Sequence, residues 1–271
     1  MASIVVGGAG FLGSALVEVL IARRQPVVIV DTLQSGSLTN TATAIQSGRG
    51  AFAFWNSPAS LAQVRQALEV LHARAKVVFD LADAPATSTR IGAELAVPVV
   101  ALRRIRESPP GMEARTASAQ SENALICRGI AYGPRMRRRP SALVYELFAA
   151  CAAGEPLPIR GIEGVPLEVS SSRRIAHDLV EWVEAGKRHA ANLREADAVV
   201  TTAEFAATLS LVAGIAMRTR PANPASVPLA THQVPPAAAD AGQLESSLAE
   251  TLAWFRGLEA ASVSLAAGAS P

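Results

Sequence analysis

The chain has 271 residues, 50% of them apolar, with 25 basic and 23 acidic residues for a formal net charge of +2. That length can bury a large core in one or two domains. No apolar run reaches membrane-spanning length, and so small a net charge points to no particular partner.

The first thirty-one residues set the frame. Ser3-Ile4-Val5-Val6 is a short apolar run that opens into Gly7-Gly8-Ala9-Gly10-Phe11-Leu12-Gly13. A helical pattern follows through Leu16, Val19 and Leu20, and a second apolar run, Val27-Val28-Ile29-Val30, ends on Asp31. Strand, glycine turn, helix, strand and acid make half of a dinucleotide-binding fold. Gly7 lets the chain turn off the strand. Gly10 lets the backbone approach a pyrophosphate, and Gly13 lets the helix sit close on the sheet. The helix N-terminus aims free N–H groups and a positive dipole end at phosphates. Asp31 can accept from adenosine ribose hydroxyls and would repel a 2′-phosphate, which favours NAD over NADP. The competing reading is a Rossmann-type unit that holds no ligand.

The glycine spacing, Phe11 and the run Asp31-Thr32-Leu33-Gln34-Ser35-Gly36 resemble the extended short-chain dehydrogenase/reductases. More closely, they resemble the NAD-dependent epimerase/dehydratase family that works on nucleotide sugars. That family usually has Thr where Val6 stands here.

Ala51 to Trp55 reads as a third strand. The resemblance implies an Asp after it, to accept from the adenine amino group; Asn56 stands nearest and its amide oxygen can accept the same bond. An Asn opening a turn before Pro58 is the alternative. Leu61 to Leu71 is predicted helical, with Leu61, Val64, Leu68 and Leu71 on one face. Lys76 to Asp83 is the fourth strand and its exit. There the family pattern His-Leu-Ala-Ala is replaced by Asp80-Leu81-Ala82-Asp83. A carboxylate at Asp80 or Asp83, beside a nicotinamide, is a candidate general base; a helix cap or a solvated acid is the competing reading. Glu94 to Arg106 is expected to be a helix kinked at Pro98, with a strand over Val97–Leu102 as the alternative.

The family's catalytic segment should follow: a strand ending in Ser or Thr, then a helix carrying Tyr-x-x-x-Lys. In that scheme the lysine binds the nicotinamide ribose and lowers the pKa of the acid/base tyrosine. This chain has two tyrosines, Tyr132 and Tyr145, and the residues four places on are Met136 and Ala149. Its only lysines are Lys76 and Lys187. The segment is replaced by a run holding Glu113, Thr116, Ser118 and Ser121. Most of one strand–helix unit, on the order of 30 residues, is therefore expected to be missing. The strand around Leu125–Ile130 is then expected to sit directly beside the fourth strand. Ile130-Ala131-Tyr132-Gly133-Pro134 resembles the family's later strand ending Asn-Val-Tyr-Gly-Pro.

Arg135-Met136-Arg137-Arg138-Arg139 suits a phosphate or a solvated loop equally. Basic surface with interleaved aromatics, as a nucleic-acid site needs, is not seen. Ala142 to Ala153 is a predicted helix. Gly154-Glu155-Pro156-Leu157 resembles the family's Gly-x-Pro-Leu stretch, after which the diphosphate-binding arginine is absent; Arg173 or Arg174 stands a few residues on. His177-Asp178-Leu179-Val180 resembles a helix start. Ala198 to Thr202 reads as a strand, and a helix from Thr202 ends at Gly214. Residues 221–241 form a Pro/Ala-rich connection. Leu244 to Phe255 is the last helix, with Trp254-Phe255 packing as core, and 260–271 is expected to fray.

The expected protein is α/β: a Rossmann-type doubly wound parallel sheet, shortened by about one strand–helix unit, with a small C-terminal lobe. Residues 1–134 form the NAD-binding domain, 135–259 the substrate-side lobe and 260–271 a flexible tail. The cofactor is NAD, held by Gly7, Gly8, Gly10, Phe11, Leu12, Gly13, Asp31, Asn56, Leu81 and Ala82. Asp80, Asp83 and Tyr132 are the catalytic candidates, and Arg135 and Arg173 the substrate-binding ones. No metal constellation is present, and Cys127 and Cys151 read as buried thiols. The leading function is a diverged epimerase/dehydratase-like protein that binds NAD(H) and, if active, catalyses a non-standard isomerisation, elimination or cyclisation on a sugar-nucleotide-like or specialised-metabolite substrate. The alternative is a catalytically dead binding or regulatory module. A homodimer or a protein partner covering the lost segment is expected, and neither nucleic acid nor membrane. With no basic leader or cleavage site at its start, the chain is expected to be cytoplasmic.

Overall fold

Two strands built mostly of aliphatic residues, β1 (Ala2–Val6) and β2 (Val27–Asp31), are buried along their whole length, which only a sheet covered on both faces allows. A computed structural model describes residues 1–56, 60–82, 85–104, 124–127, 129–137, 143–186, 192–194, 196–223 and 241–268. The chain divides into two units, one of Met1–Ile105, Pro110–Cys127 and Ser172–Arg194, the other of Arg106–Pro109, Arg128–Ser171 and Glu195–Pro271.

The first unit is built on a seven-stranded sheet. Its further strands are β3 (Gly50–Phe54), β4 (Ala75–Asp80), β5 (Val99–Arg104), β6 (Ala124–Cys127) and β10 (Asn192–Arg194), and the order is β10-β6-β5-β4-β1-β2-β3. Every pairing is parallel. The order reverses between β1 and β4, where Val6 faces Val30 on one side and Asp80 on the other. Helices α1 (Phe11–Ala22), α2 (Ala42–Gln46), α3 (Leu61–Val70) and α4 (Pro85–Leu95) connect the strands. The expected Rossmann-type α/β class is therefore present.

Four expectations change. Residues 94–106 are not one helix. Ala96 takes a left-handed φ of 52°, and the Ala96 and Val97 amides bond back to the Ala93 and Gly92 carbonyls, closing α4. Pro98 cannot continue a helix, but its carbonyl accepts from Val78 at 2.9 Å and starts β5. Gly92 is needed at that corner, because a Cβ there would stand 2.4 Å from Val99 Cγ2.

The strand of the expected missing unit is thus retained as β5, and it separates β6 from β4. The single strand expected over Leu125–Ile130 is divided. Gly129, at φ 78°, turns the chain, and β7 (Ile130–Tyr132) belongs to the second unit. The helix expected to start at His177 begins at Ser172, so His177 and Asp178 lie inside α6 (Ser172–Glu184). Asp178 there pairs with Arg174 one turn back, at 3.0 Å. The last helix, α8 (Ala241–Gly268), runs past its expected end at Phe255.

In the second unit, β9 (Pro166–Ser171) lies between β7 and β11 (Ala198–Thr201), parallel to the first and antiparallel to the second. β8 (Leu157–Arg160) pairs with β12 (Thr219–Pro221). Helices α5 (Leu143–Ala152), α7 (Thr202–Ala213) and α8 complete it. Its core is aromatic: Phe148 stacks on Phe255 at 5.5 Å and on Tyr132 at 5.9 Å, and meets Phe205 edge-on at 6.1 Å. Thr201 and Glu204 form a capping box that starts α7, and Gly214 ends it in the left-handed region. No helix among the described residues is long and apolar enough to cross a membrane.

Phe148 joins three elements, so Phe148→Ala is expected to cost about 3–5 kcal/mol. Val70→Ala, at a side chain 66% exposed, should stay within about 0.5 kcal/mol. Urea unfolding of the two variants measures the contrast.

Candidate functional site

Ligands in open α/β sheets bind outside the carboxyl ends of the strands, where the strand order reverses. Here that point is the exit of β1. Gly7 leaves the strand at φ 77°, and its amide bonds to Val30 O at 2.8 Å. A Cβ on Gly7 would stand 2.9 Å from the Ala82 nitrogen and Cβ, so the exit of β4 passes directly against it. A Cβ on Gly8 would meet Ile29 Cγ2 and Val5 O at 2.9 Å. A Cβ on Gly13 would meet Gly7 O at 2.0 Å. The turn therefore exists only with these glycines.

Gly10 is the N-cap of α1, in extended conformation, with no side chain closing the helix end and no acid in the first turn. Its amide returns to Gly7 O at 3.0 Å, and its carbonyl receives Ser14 N at 3.0 Å. The amides of Phe11, Leu12 and Gly13 have no intrahelical acceptor, and among the described residues no hydrogen bond takes them up. They are the donors an anion would use.

Asp31, 7% exposed, ends β2 beside this turn. One carboxylate oxygen accepts from Ala9 N at 2.9 Å and the other from Leu33 N at 2.8 Å. A carboxylate offers about four acceptor sites, so these two bonds leave room for hydroxyl donors.

The β4 exit is tied to the same place, with Leu81 N donating to Val6 O at 3.0 Å. Asp80 is 1% exposed, and its carboxylate accepts from Ala82 N at 3.3 Å. It lies within the turn that ends β4. Asp83, Glu113, Thr116, Ser118 and Ser121 lie outside the described residues, as do Arg138 and Arg139 and the connection 224–240. Asn56 follows β3, and its side-chain oxygen accepts from Ser60 Oγ at 3.0 Å. That is the turn role rather than an open acceptor.

Tyr132 is a correction. It is 1% exposed in the aromatic core of the second unit. Its hydroxyl bonds Ser247 Oγ, which in turn donates to Leu244 O at 2.9 Å. Burial pushes its pKa up to about 12, the nearby Asp197 charge adds to the rise, and the Ser247 bond only partly opposes it. A tyrosine acid/base needs the opposite shift. Arg135 sits half-buried in the second unit at φ 67°, and Arg173 is exposed on α6 in the first. Cys127 and Cys151 are buried thiols. Among the described residues, no cluster of His, Cys, Asp and Glu could hold a metal.

One part of the site escapes the sequence reading. The Ala9 carbonyl accepts from Ser37 N at 3.0 Å and from Asn40 Nδ2 at 2.8 Å. Ser35-Gly36-Ser37 and Thr39-Asn40-Thr41 signal a polar loop, but nothing in them points back to a residue near the start of the chain.

Comparison with known proteins follows this geometry. Residues 3–109 match the model of the NAD dependent epimerase/dehydratase family. No curated protein matches the chain in sequence. Among solved structures, it is similar to UDP-N-acetylglucosamine 4-epimerase from Methanobrevibacter ruminantium M1 in complex with UDP-N-acetylmuramic acid, at TM-score 0.69 and 16% identity, covering 95% of this chain and 98% of that one. It is similar to the Thermus thermophilus UDP-glucose 4-epimerase complex with NAD at TM-score 0.63 and 17% identity, covering 95% and 99%. The dTDP-glucose 4,6-dehydratase from Bacillus anthracis str. Ames in complex with NAD gives TM-score 0.61 and 14% identity over 95% and 97%. The N-terminal sequence carries the family pattern, and the fold is that of these epimerases and dehydratases.

The Tyr132 shift makes a pH prediction. The fold favours the neutral phenol, so this contribution is complete below the unfolded pKa of 10.0 and is lost as pH rises towards 12. The gap is worth about 2–3 kcal/mol. Urea midpoints should fall steeply across that window in the wild type, and less steeply in Tyr132→Phe.

Proposed function

We propose that this chain holds NAD(H) in the glycine turn of its first unit and does not run the Tyr–Lys redox relay of the epimerase/dehydratase family. It is a dinucleotide-binding module built on an enzyme fold. The observation that carries this is the turn itself: three open N–H groups at the start of α1, a backbone kept bare by Gly7, Gly10 and Gly13, and a carboxylate fixed at the end of β2. The fit to a dinucleotide is good. The pyrophosphate takes the amides of Phe11, Leu12 and Gly13. The adenosine ribose takes the spare acceptor sites of Asp31, whose charge disfavours a 2′-phosphate. Gly8 keeps the turn flat on Ile29, and Leu81 and Ala82 wall its far side. Bound NAD would supply a hydride acceptor, and its reduced form a hydride donor.

The absence of a relay rests on the chain's own residues. No tyrosine has a lysine four places on, and Tyr132 and Asp80 are both buried and hydrogen-bonded within the fold. A second reading keeps catalysis: a non-standard isomerisation, elimination or cyclisation of a phosphate-containing small molecule. It is favoured by one observation, that Asp83 directly follows the Ala82 packed on Gly7. Arg173 is the cation of the first unit that we assign to such a substrate, and a second copy of the chain is the partner we assign to the shortened segment.

Calorimetry with NAD tests the reading. The wild type should bind saturably, and Asp31→Ala should bind about tenfold more weakly or worse, through loss of charge-assisted hydrogen bonds. Gly13→Ala, whose Cβ would stand 2.0 Å from Gly7 O, should abolish binding. No heat at millimolar NAD would sink the proposal. Conversion of a nucleotide sugar that is lost in Asp83→Asn would move the weight to the second reading.

A further inference from the structure

The Ala9–Gly10 peptide is the last plane before the open end of α1; three groups bond it, and a fourth holds the plane before it. On the Gly10 side the amide bonds Gly7 O at 3.0 Å. On the Ala9 side the carbonyl takes Ser37 N at 3.0 Å and Asn40 Nδ2 at 2.8 Å. The amide one plane earlier, Ala9 N–H, is held by Asp31 at 2.9 Å. A carbonyl oxygen has two lone pairs, so Ser37 and Asn40 fill this one. It can only accept, which settles that the Asn40 amide nitrogen, not its oxygen, faces it.

The segment that delivers these donors is built to lie there. A Cβ on Gly36 would stand 2.9 Å from the Ala9 carbonyl carbon and Cβ, so the chain passes in contact with Ala9. A 3-10 turn, Leu38–Thr41, then presents Asn40. Asn40 N bonds Ser37 O at 3.0 Å, and the Thr41 hydroxyl bonds Leu38 O at 2.9 Å. Thr41 is buried and Asn40 half-buried. Asn40 is the only side-chain donor on the Ala9 carbonyl among the described residues.

We infer that Asn40 is a positioning residue for dinucleotide binding. It touches no phosphate. It fixes the tilt of the Ala9–Gly10 plane, and through it the direction of the Phe11, Leu12 and Gly13 amides that follow. This rests on the cofactor reading above. Without the amide, that plane keeps one donor on its oxygen and gains freedom to rotate. The amides then meet a pyrophosphate only after it is reordered, and affinity falls while the bulk of the fold is untouched.

The test compares wild type, Asn40→Asp and Asn40→Ala in the full chain. Asn40→Asp keeps the shape and sets an acceptor against the carbonyl; Asn40→Ala removes the donor without adding repulsion. Three quantities are read: the NAD dissociation constant by calorimetry, the thermal midpoint without ligand, and amide hydrogen exchange over residues 7–13 without ligand. The expected result is about a five- to tenfold weaker NAD dissociation constant in Asn40→Ala, the size of one hydrogen bond of ordinary net strength. Asn40→Asp should lose more. Exchange over 7–13 should quicken in both, with the thermal midpoint close to wild type in Asn40→Ala. If the wild type binds NAD and both variants bind equally well, the inference is overturned. The same holds if affinity falls only in step with the thermal midpoint. If Asn40→Asp does not fold, Asn40→Ala decides. If the wild type itself fails to bind NAD, the cofactor reading falls, and unchanged exchange over 7–13 overturns the role of Asn40 separately.

Discussion

Helix α1 can leave β1 as steeply as it does because Gly13 has no side chain. The position a Cβ would occupy is 2.0 Å from the Gly7 carbonyl oxygen, well inside any tolerated contact. The first helical turn therefore stacks directly on the glycine turn, and the rest of the first unit follows from that closeness. Leu16, Val17, Val19 and Leu20 reach into the core from α1, at about 1.5–3 kcal/mol for each large aliphatic side chain buried. Helix α6 packs on α1. Arg23 then pairs with Glu184 at 2.8 Å and Glu181 at 3.4 Å. Those ion pairs are solvent-exposed on the glutamate side and worth at most about 1 kcal/mol each. Packing, which the glycine permits, holds the layer; the charges only mark its register.

The polar groups that the sequence offers for chemistry are largely taken by folding. A buried carboxylate or phenol that lacks partners is expensive, and both Asp80 and Tyr132 have found theirs. Asp80 turns the chain at the end of β4. Tyr132 ties β7 to α8 through Ser247 inside an aromatic cluster with Phe148 and Phe205. The same burial that satisfies them removes them from a substrate. At the start of α1, by contrast, the Phe11, Leu12 and Gly13 amides find no acceptor among the described residues.

The strand–turn–helix–strand core was legible because aliphatic runs, glycines and an acid constrain each other over one short window. Where the sequence misleads, the cause is local and physical. Residues 94–106 show helical spacing, but Pro98 removes a donor just where Val99 and Val100 favour an extended chain, and Ala96 stops α4 by turning left-handed. Leu125 to Ile130 reads as one strand, yet Gly129 at φ 78° divides it, because its Cα must pass close to the Glu168 carbonyl. Strands of three or four residues, such as β10 and β12, are too short to leave a periodic signal. Candidate site residues were legible where backbone geometry demands a residue type, as at Gly7 and Gly13. They were not where only burial decides, as for Asp80, or where the partner is distant in sequence, as for Asn40 and Ala9.

Connection lengths account for how the sheet closes. A parallel crossover needs at least about 10–12 residues. From β1 to β2 the chain spends 20 residues, 7–26, and from β4 to β5 it spends 18, 81–98. From β5 to β6 it spends 19, residues 105–123. That is an ordinary crossover. The resemblance calls for a longer one here, with room for a serine-bearing loop and a Tyr-x-x-x-Lys helix. Nineteen residues are enough to close the topology between β5 and β6. Strand β5 stays paired between β4 and β6, so the switch point and the glycine turn beside it are unaffected by the shortening. The glycine turn and that crossover are therefore separate parts of this architecture.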